Sequence, residues 1–170
     1  MIKMHNKLTQ ADINKMKEEI EYRETVKRDE LLEAVNEARA FGDLSENAEY
    51  KIAKQERNRN ESRIRHLKNM IKTATVVTDN SKEDEVGLSD RVTLYIEEDD
   101  IDETYTIVTN IRIDSSGDYI SLESPMARAI LGKKQGDRIK IDVNPEYSYY
   151  AVIKKIEKGE EDDSRPLKRY

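Results

Sequence analysis

Hydrophobic residues in the first half of the chain recur at intervals of three and four. They fall at Ile13, Met16 and Ile20, at Leu31, Val35 and Ala38, and again at Ala48, Ile52, Ile64, Leu67, Ile71 and Ala74. Such spacing lays a narrow apolar seam along one side of a helix. Residues 9–75 hold no glycine except Gly42 and no proline, and they are rich in the helix formers Glu, Lys, Arg, Ala and Leu. The pattern predicts two helical arms broken near Gly42. In an antiparallel pair the numbers of facing residues share one sum; Val35 with Ile52, Ile20 with Leu67 and Met16 with Ile71 all give 87. A coiled-coil hairpin over 8–77 is therefore expected, turning at 43–44. Arms of roughly 30 residues at about 1.5 Å each make a rod of roughly 45 Å, whose tip has little to pack on. The middle of the seam is polar, with Arg23 and Lys27 facing Arg59 and Ser62. The step of eleven from Ile20 to Leu31 breaks a strict heptad. Thr9-Gln-Ala-Asp12 reads as a capping box with Asp12 in place of the usual Glu or Gln.

The second half alternates with period two. Thr78 to Leu88 reads as a polar linker. Runs at Val92-Leu94-Ile96, Tyr105-Ile107 onward to Ile111-Ile113, Ile120-Leu122, Ile139-Ile141-Val143 and Ala151 to Ile156 follow, as in half-buried strands. Ser115-Ser-Gly-Asp118 looks like a hairpin turn and Gly136-Asp137 like another. Ser124 to Gly132 predicts a short helix with Ser124 as N-cap, Pro125 in the first turn and Gly132 just past the end. The expected class is α+β: a helical hairpin, then an antiparallel sheet of about five strands with one short helix over 89–157. The charged tail, 158–170, is expected to be disordered.

Composition narrows the chemistry. With 36% hydrophobic and 39% charged residues in 170, a single compact globule is excluded in favour of an elongated part with much solvated surface. The chain has no cysteine, which excludes disulfides, thiol nucleophiles and Cys-ligated zinc and fits a reducing cytoplasm. The N-terminal ten residues lack an apolar signal core, and no run of about 18 apolar residues could span a membrane. Residues 1–78 carry 16 Lys and Arg against 14 Asp and Glu, and residues 79–170 carry 14 against 22. The acidic total argues against general duplex binding and leaves a local basic surface possible on the first half. No glycine-rich phosphate loop occurs. His5 and His66 are expected at the surface without a catalytic partner.

The expected turn reads Phe-Gly-Asp-Leu-Ser-Glu-Asn-Ala-Glu-Tyr-Lys, residues 41–51, with Asp43, Glu46 and Glu49 in seven positions. One reading is structural: Asp43-Leu-Ser-Glu46 caps the second helix and its charge suits the helix dipole. The other is chemical: Asp43 and Glu46 hold a divalent cation. Two carboxylates alone bind Mg²⁺ weakly, since it keeps waters and shares ligands with a substrate. Such a tip would complete a site in another macromolecule. Arg39, Lys51 and Lys54 lie near it, and Arg57, Arg59, Arg63 and Arg65 continue down the second arm. They form either an ion-paired flank or a track for a single nucleic-acid strand.

The segment from Ala38 to Tyr50 resembles the tip motif of the bacterial Gre transcript cleavage factors. Residues 124–137, Ser-Pro-Met-Ala-Arg-Ala-Ile-Leu-Gly-Lys-Lys-Gln-Gly-Asp, resemble their C-terminal motif. The likeness spans about residues 8–157 and is nearer the GreA branch, because acids interrupt the basic run. It implies a coiled coil inserted into the secondary channel of RNA polymerase and an FKBP-like domain on the channel's rim. The tip would then share a Mg²⁺ with the polymerase active centre, and the polymerase would cleave its own backtracked transcript. By position, Asp43 and Glu46 would be the metal-assisting carboxylates and Ser45 would help orient water or RNA. Arg39 and Lys54 would lie along the 3′ RNA, and Glu123, Ser124 and Pro125 would meet the polymerase. The resemblance implies an accessory factor, not an enzyme by itself, acting as a monomer with no cofactor of its own and no membrane partner. A proline common midway along the family's first arm is replaced around Asp29, the last hairpin reads Asn144 to Tyr150 instead of a Gly-rich turn, and the tail has no counterpart. The FKBP-like fold does not imply prolyl isomerase activity. A Gre-like polymerase inhibitor and a non-catalytic coiled-coil adaptor are the alternatives; the unaltered tip motif speaks against the first.

Overall fold

The computed structural model describes residues 6–43, 46–162 and 164–168. Its contacts divide the chain into two units, residues 1–6 with 13–74 and residues 7–12 with 75–170. No helix among the described residues is long and apolar enough to cross a membrane.

The first unit is the hairpin. One arm comprises α1 (Gln10–Tyr22), a π-helical turn (Arg23–Lys27) and α2 (Arg28–Arg39); the other is α3 (Ala48–Thr73). Met16, Ile20, Leu31, Val35 and Ala38 are buried on the first arm, as are Ile64, Leu67 and Met70 on the second. The π-turn explains the step of eleven. A heptad continued from Ile13, Met16 and Ile20 would reach positions 30, 34 and 37, whereas the buried residues are 31, 35 and 38. A π-turn holds one extra residue, so the seam resumes on the same face.

The pairing of Val35 with Ile52 does not occur as expected, because Ile52 is 60% exposed. The second arm's inward positions are Ala53, Arg57, Asn60, Ile64, Leu67, Ile71 and Ala74, all buried or half-buried. This is an unbroken heptad partly written in polar residues. Buried Asn60 is satisfied from the opposite arm. Its Oδ1 accepts from Arg23 Nη1 at 3.0 Å and its Nδ2 donates to the Arg23 carbonyl at 3.3 Å. A satisfied polar pair at a seam position fixes register.

Around it, Glu19 accepts from Arg23 Nε at 2.7 Å and from Arg63 Nε and Nη2 at 2.9 and 3.1 Å, and Arg28 forks onto Glu61 at 2.8 and 2.9 Å. Burial pushes the Glu19 carboxyl up, but hydrogen bonds from Arg63 and Arg23 outweigh it and hold the group below the usual range. A carboxyl lowered on folding stabilises fully above its unfolded value of about 4.3, and that contribution is lost as pH falls through the folded value. Glu19→Gln is expected to cost about 1–2 kcal/mol near neutral pH. Urea denaturation of both proteins should show the difference shrinking toward about pH 3; a difference independent of pH would refute this role.

The second unit contains a five-stranded sheet in the order β5-β4-β3-β7-β6. Its strands are β3 (Arg91–Ile96), β4 (Ile101–Val108), β5 (Tyr119–Ser121), β6 (Arg138–Asn144) and β7 (Tyr147–Glu157). Val92, Leu94, Ile96, Ile107, Ile139, Ile141, Ala151 and Ile153 face a core closed by Ala127 and Ile130 of α4 (Pro125–Ile130). As the sequence predicts, Ser124 caps α4, accepting from Ala127 N at 3.1 Å, and Gly132 follows at φ +77°. A short parallel pair, β1 (Lys7–Leu8) with β2 (Thr75–Val76), joins this unit.

Three local expectations change. The sheet is mixed, because β5 pairs parallel to β4. Residues 115–118 therefore do not form a hairpin turn, and Ile111 sits buried in a 3₁₀ turn (Asn110–Arg112) instead of a strand. The linker packs from its C-terminal end, with Val86 1% exposed in the core. The tail past β7 makes specific contacts where disorder was expected. Lys158 donates to buried Asp90 at 2.6 Å, the Arg165 guanidinium lies 3.2 Å over the Tyr119 ring, Leu167 is buried, and Lys168 N donates to the Ile111 carbonyl at 2.8 Å. One apolar and one stacking side chain anchor a segment whose average composition is that of a disordered chain.

The Thr9–Asp12 capping box forms: each backbone N–H donates to the other's side chain at 3.1 Å. Asp12, fully buried, also accepts from Thr109 Oγ1 and Arg112 Nε, both at 2.6 Å. The cap is thus also one half of a buried ion pair.

Candidate functional site: the acidic turn of the hairpin

Helix α2 ends because its last carbonyls meet a reversal of the chain. Ala40 N donates to the Glu37 carbonyl at 3.0 Å, and Gly42 takes φ +118°, a conformation disfavoured for any residue with a Cβ. Helix α3 begins at Ala48, and its N-cap is Asn47, whose Oδ1 accepts from Tyr50 N at 3.0 Å. This corrects the capping-box reading of Asp43 to Glu46. Asn47 fills that role, and Glu49, in the first turn of α3, supplies the charge that suits the dipole. Asp43 and Glu46 are both exposed and precede the cap. Leu44 and Ser45, including the role assigned to Ser45, lie outside the described residues.

Asn47 has a second partner. Its Nδ2 donates to the Ala38 carbonyl of α2 at 2.7 Å, so one amide joins the end of one arm to the start of the other. Beside it, the Arg39 guanidinium lies 5.6 Å from the centre of the Tyr50 ring. Arg39's hydrogen bond to the Tyr50 hydroxyl holds that group below its usual range against a smaller effect of burial. The charges of Arg39, Lys54 and Arg57 add to the lowering. Arg39 and Lys54, both expected near RNA, therefore converge on one tyrosine that the sequence reading did not single out. No local signal marks it, because its partner Arg39 lies on the other arm. Exposed Phe41 and Lys51 lie on the same tip.

Further down α3 the cations are engaged. Arg63 forks onto Glu19, Lys68 meets Glu24 at 2.5 Å, Arg59 meets Glu56 at 3.2 Å, and Arg65 donates to Ser62 at 3.1 Å. That stretch is the ion-paired flank, which leaves the basic surface of interest at Arg39, Lys51 and Lys54. His66 is exposed, and His5 is outside the described residues.

Among the described residues no group of three or more His, Cys, Asp or Glu could hold a metal. Two exposed carboxylates nonetheless match the oxygen donors a hard cation takes when other ligands come from elsewhere.

The second expected contact region begins where β5 ends. Glu123 accepts from Asn110 Nδ2 at 2.5 Å, and its N–H donates to Ser121 Oγ at 3.0 Å. Ser124 is occupied as the α4 cap, and Pro125 is exposed beside it. Asn110 thus holds the Glu123 side chain from a turn that was expected to be strand.

These features define a two-part protein: a helical hairpin presenting a carboxylate pair beside a small basic–aromatic surface, and a mixed-sheet unit with a capped short helix. Residues 6–76 match the family described as transcription elongation factor, N-terminal, and residues 80–158 match transcription elongation factor, GreA/GreB, C-terminal. Transcription elongation factor GreA of Thermoanaerobacter pseudethanolicus is 44% identical over 137 residues, covering 80% of this chain and 87% of the relative. GreA of Bacillus subtilis is 40% identical over 134 residues, covering 79% and 85%. A solved structure of the transcription factor Gfh1 has a TM-score of 0.43 and 25% identity, covering 89% of this chain and 97% of that one; a likeness at that level does not bear on the assignment. The chain belongs to the GreA/GreB family of transcription elongation factors and is GreA-like within it.

Proposed function

We propose that this elongation factor acts in the cytoplasm as a monomer that enters the secondary channel of bacterial RNA polymerase and stimulates cleavage of backtracked RNA. The observation that carries the reading is the exposure of Asp43 and Glu46 at a turn where neither is the helix cap. Exposed carboxylates at that turn can be reached by a partner. A Mg²⁺ shared with the polymerase active centre would supply a Lewis acid for the attacking water.

Asp43 and Glu46 would contribute oxygen ligands to that ion, and a carboxylate oxygen would accept a hydrogen bond from nearby water. Ser45 would orient that water or the RNA. Arg39, fixed over Tyr50, and Lys54 present cations to the phosphates of the displaced 3′ end, which needs charge but no base readout. Glu123, Ser124 and Pro125 form the contact with the channel's rim, with Glu123 held by Asn110 and Ser124 locked as a cap. In this reading the factor is an accessory that donates groups to the polymerase's own site.

The test uses a stalled, backtracked polymerase complex carrying 3′-labelled RNA and Mg²⁺. Addition of the protein should release short labelled 3′ fragments and restore elongation. Binding without any fragments would overturn the proposal in favour of a channel-blocking inhibitor.

A further inference from the structure

We propose that Asn47 is a positioning residue that sets the spacing of the two tip carboxylates. The inference rests on the carboxylate reading above. The Asn47 amide is divided between the arms. Oδ1 accepts from Tyr50 N at 3.0 Å and so starts α3, while Nδ2 donates to the Ala38 carbonyl at 2.7 Å and so ties that start to the end of α2. The tie joins Ala38 to Asn47, and Asp43 and Glu46 fall between those two positions in the chain.

The residue type follows from the task. A carboxamide on a single methylene offers a donor and an acceptor at once. Aspartate and serine cap a helix about as well as asparagine, but aspartate has no donor, and its charge would face the Ala38 carbonyl. Serine's one hydroxyl is shorter and cannot reach both arms. A loop whose ends are tied has fewer conformations to lose when its carboxylates are brought to one ion, and misplacing ligands by about 1 Å costs on the order of a hundredfold in rate.

Asn47→Asp and Asn47→Ser therefore separate capping from tying. With the backtracked complex at saturating factor, both variants should cleave at least about tenfold more slowly than wild type. Half-saturating Mg²⁺ should rise several-fold, while competition binding to polymerase stays within about twofold and melting shifts little because the cap is kept. In the free protein, spin labels replacing exposed Glu37 and Lys51 should give a broader distance distribution in both variants than in wild type. An unchanged distribution overturns the inference. So does wild-type cleavage at wild-type Mg²⁺ dependence, or a loss fully accounted for by weaker polymerase binding. Absence of fragments from wild type itself would instead overturn the carboxylate reading, with the label distances still deciding whether Asn47 ties the arms.

Discussion

Replacing Asp43 with Asn and Glu46 with Gln together should slow transcript cleavage by at least about a hundredfold, the scale of losing preorganised charge at a reacting centre. The melting curve should barely move. Neither residue is an N-cap, both are exposed, and substitutions at such positions usually change stability by less than about 0.5 kcal/mol. Binding to polymerase should survive, because the rim contact proposed for Glu123, Ser124 and Pro125 is untouched. The divergence between activity and stability is the informative quantity. A coiled-coil adaptor would show small and parallel changes in both, and would match a cap lost at about 1 kcal/mol. A channel-blocking inhibitor would give no fragments from wild type and would block equally well after substitution. Each single variant should fall between wild type and the double variant.

The largest stability effect is expected at Asp12. Asp12 is fully buried and accepts from Thr9 N, Thr109 Oγ1 and Arg112 Nε, and Arg112 is itself 5% exposed. Asp12→Ala would leave a buried guanidinium without its counter-charge, a loss of about 3–5 kcal/mol. That is a large share of the roughly 5–15 kcal/mol that holds a typical domain. Urea denaturation followed by circular dichroism would measure it. Replacing both partners, Asp12→Ala with Arg112→Met, should recover much of the loss, because the desolvation cost of the stranded charge disappears. A double variant no more stable than the single one would show that the two hydroxyl and backbone bonds of Asp12 matter more than its charge.

Much of this arrangement is legible in the sequence because periodicity reports burial directly. The two arms, the strands around Leu94, Ile141 and Ile153, and the short helix from Ser124 to Gly132 all follow from spacing and caps. The errors have physical causes. Ile52 read as a seam residue because it is apolar, yet the heptad runs through Ala53, Arg57 and Asn60, where hydrogen bonds to Arg23 take the place of apolar contact. Asp43 read as a cap because acids cap helices, but an asparagine four residues later can satisfy both arms. The parallel pairing of β5 is invisible locally, since strand direction is decided by the path between strands. The buried role of Asp12 depends on Arg112, one hundred residues away. At the tip, the carboxylates and the cations Arg39 and Lys54 could be read from the chain. Tyr50 and Asn47 could not, because their roles lie in whom they touch.

The π-turn at Arg23–Lys27 gives the hairpin a tolerance that its other turns lack. Removing one residue from an ordinary helix rotates everything beyond it by about 100°, which would swing the acidic loop off its face and pull Leu31, Val35 and Ala38 out of the seam. Removing one residue from the π-turn instead lets that segment relax to α-helix with the later heptads in phase. The arm therefore has one position at which its length can be edited by a single codon while the direction of its working end is kept.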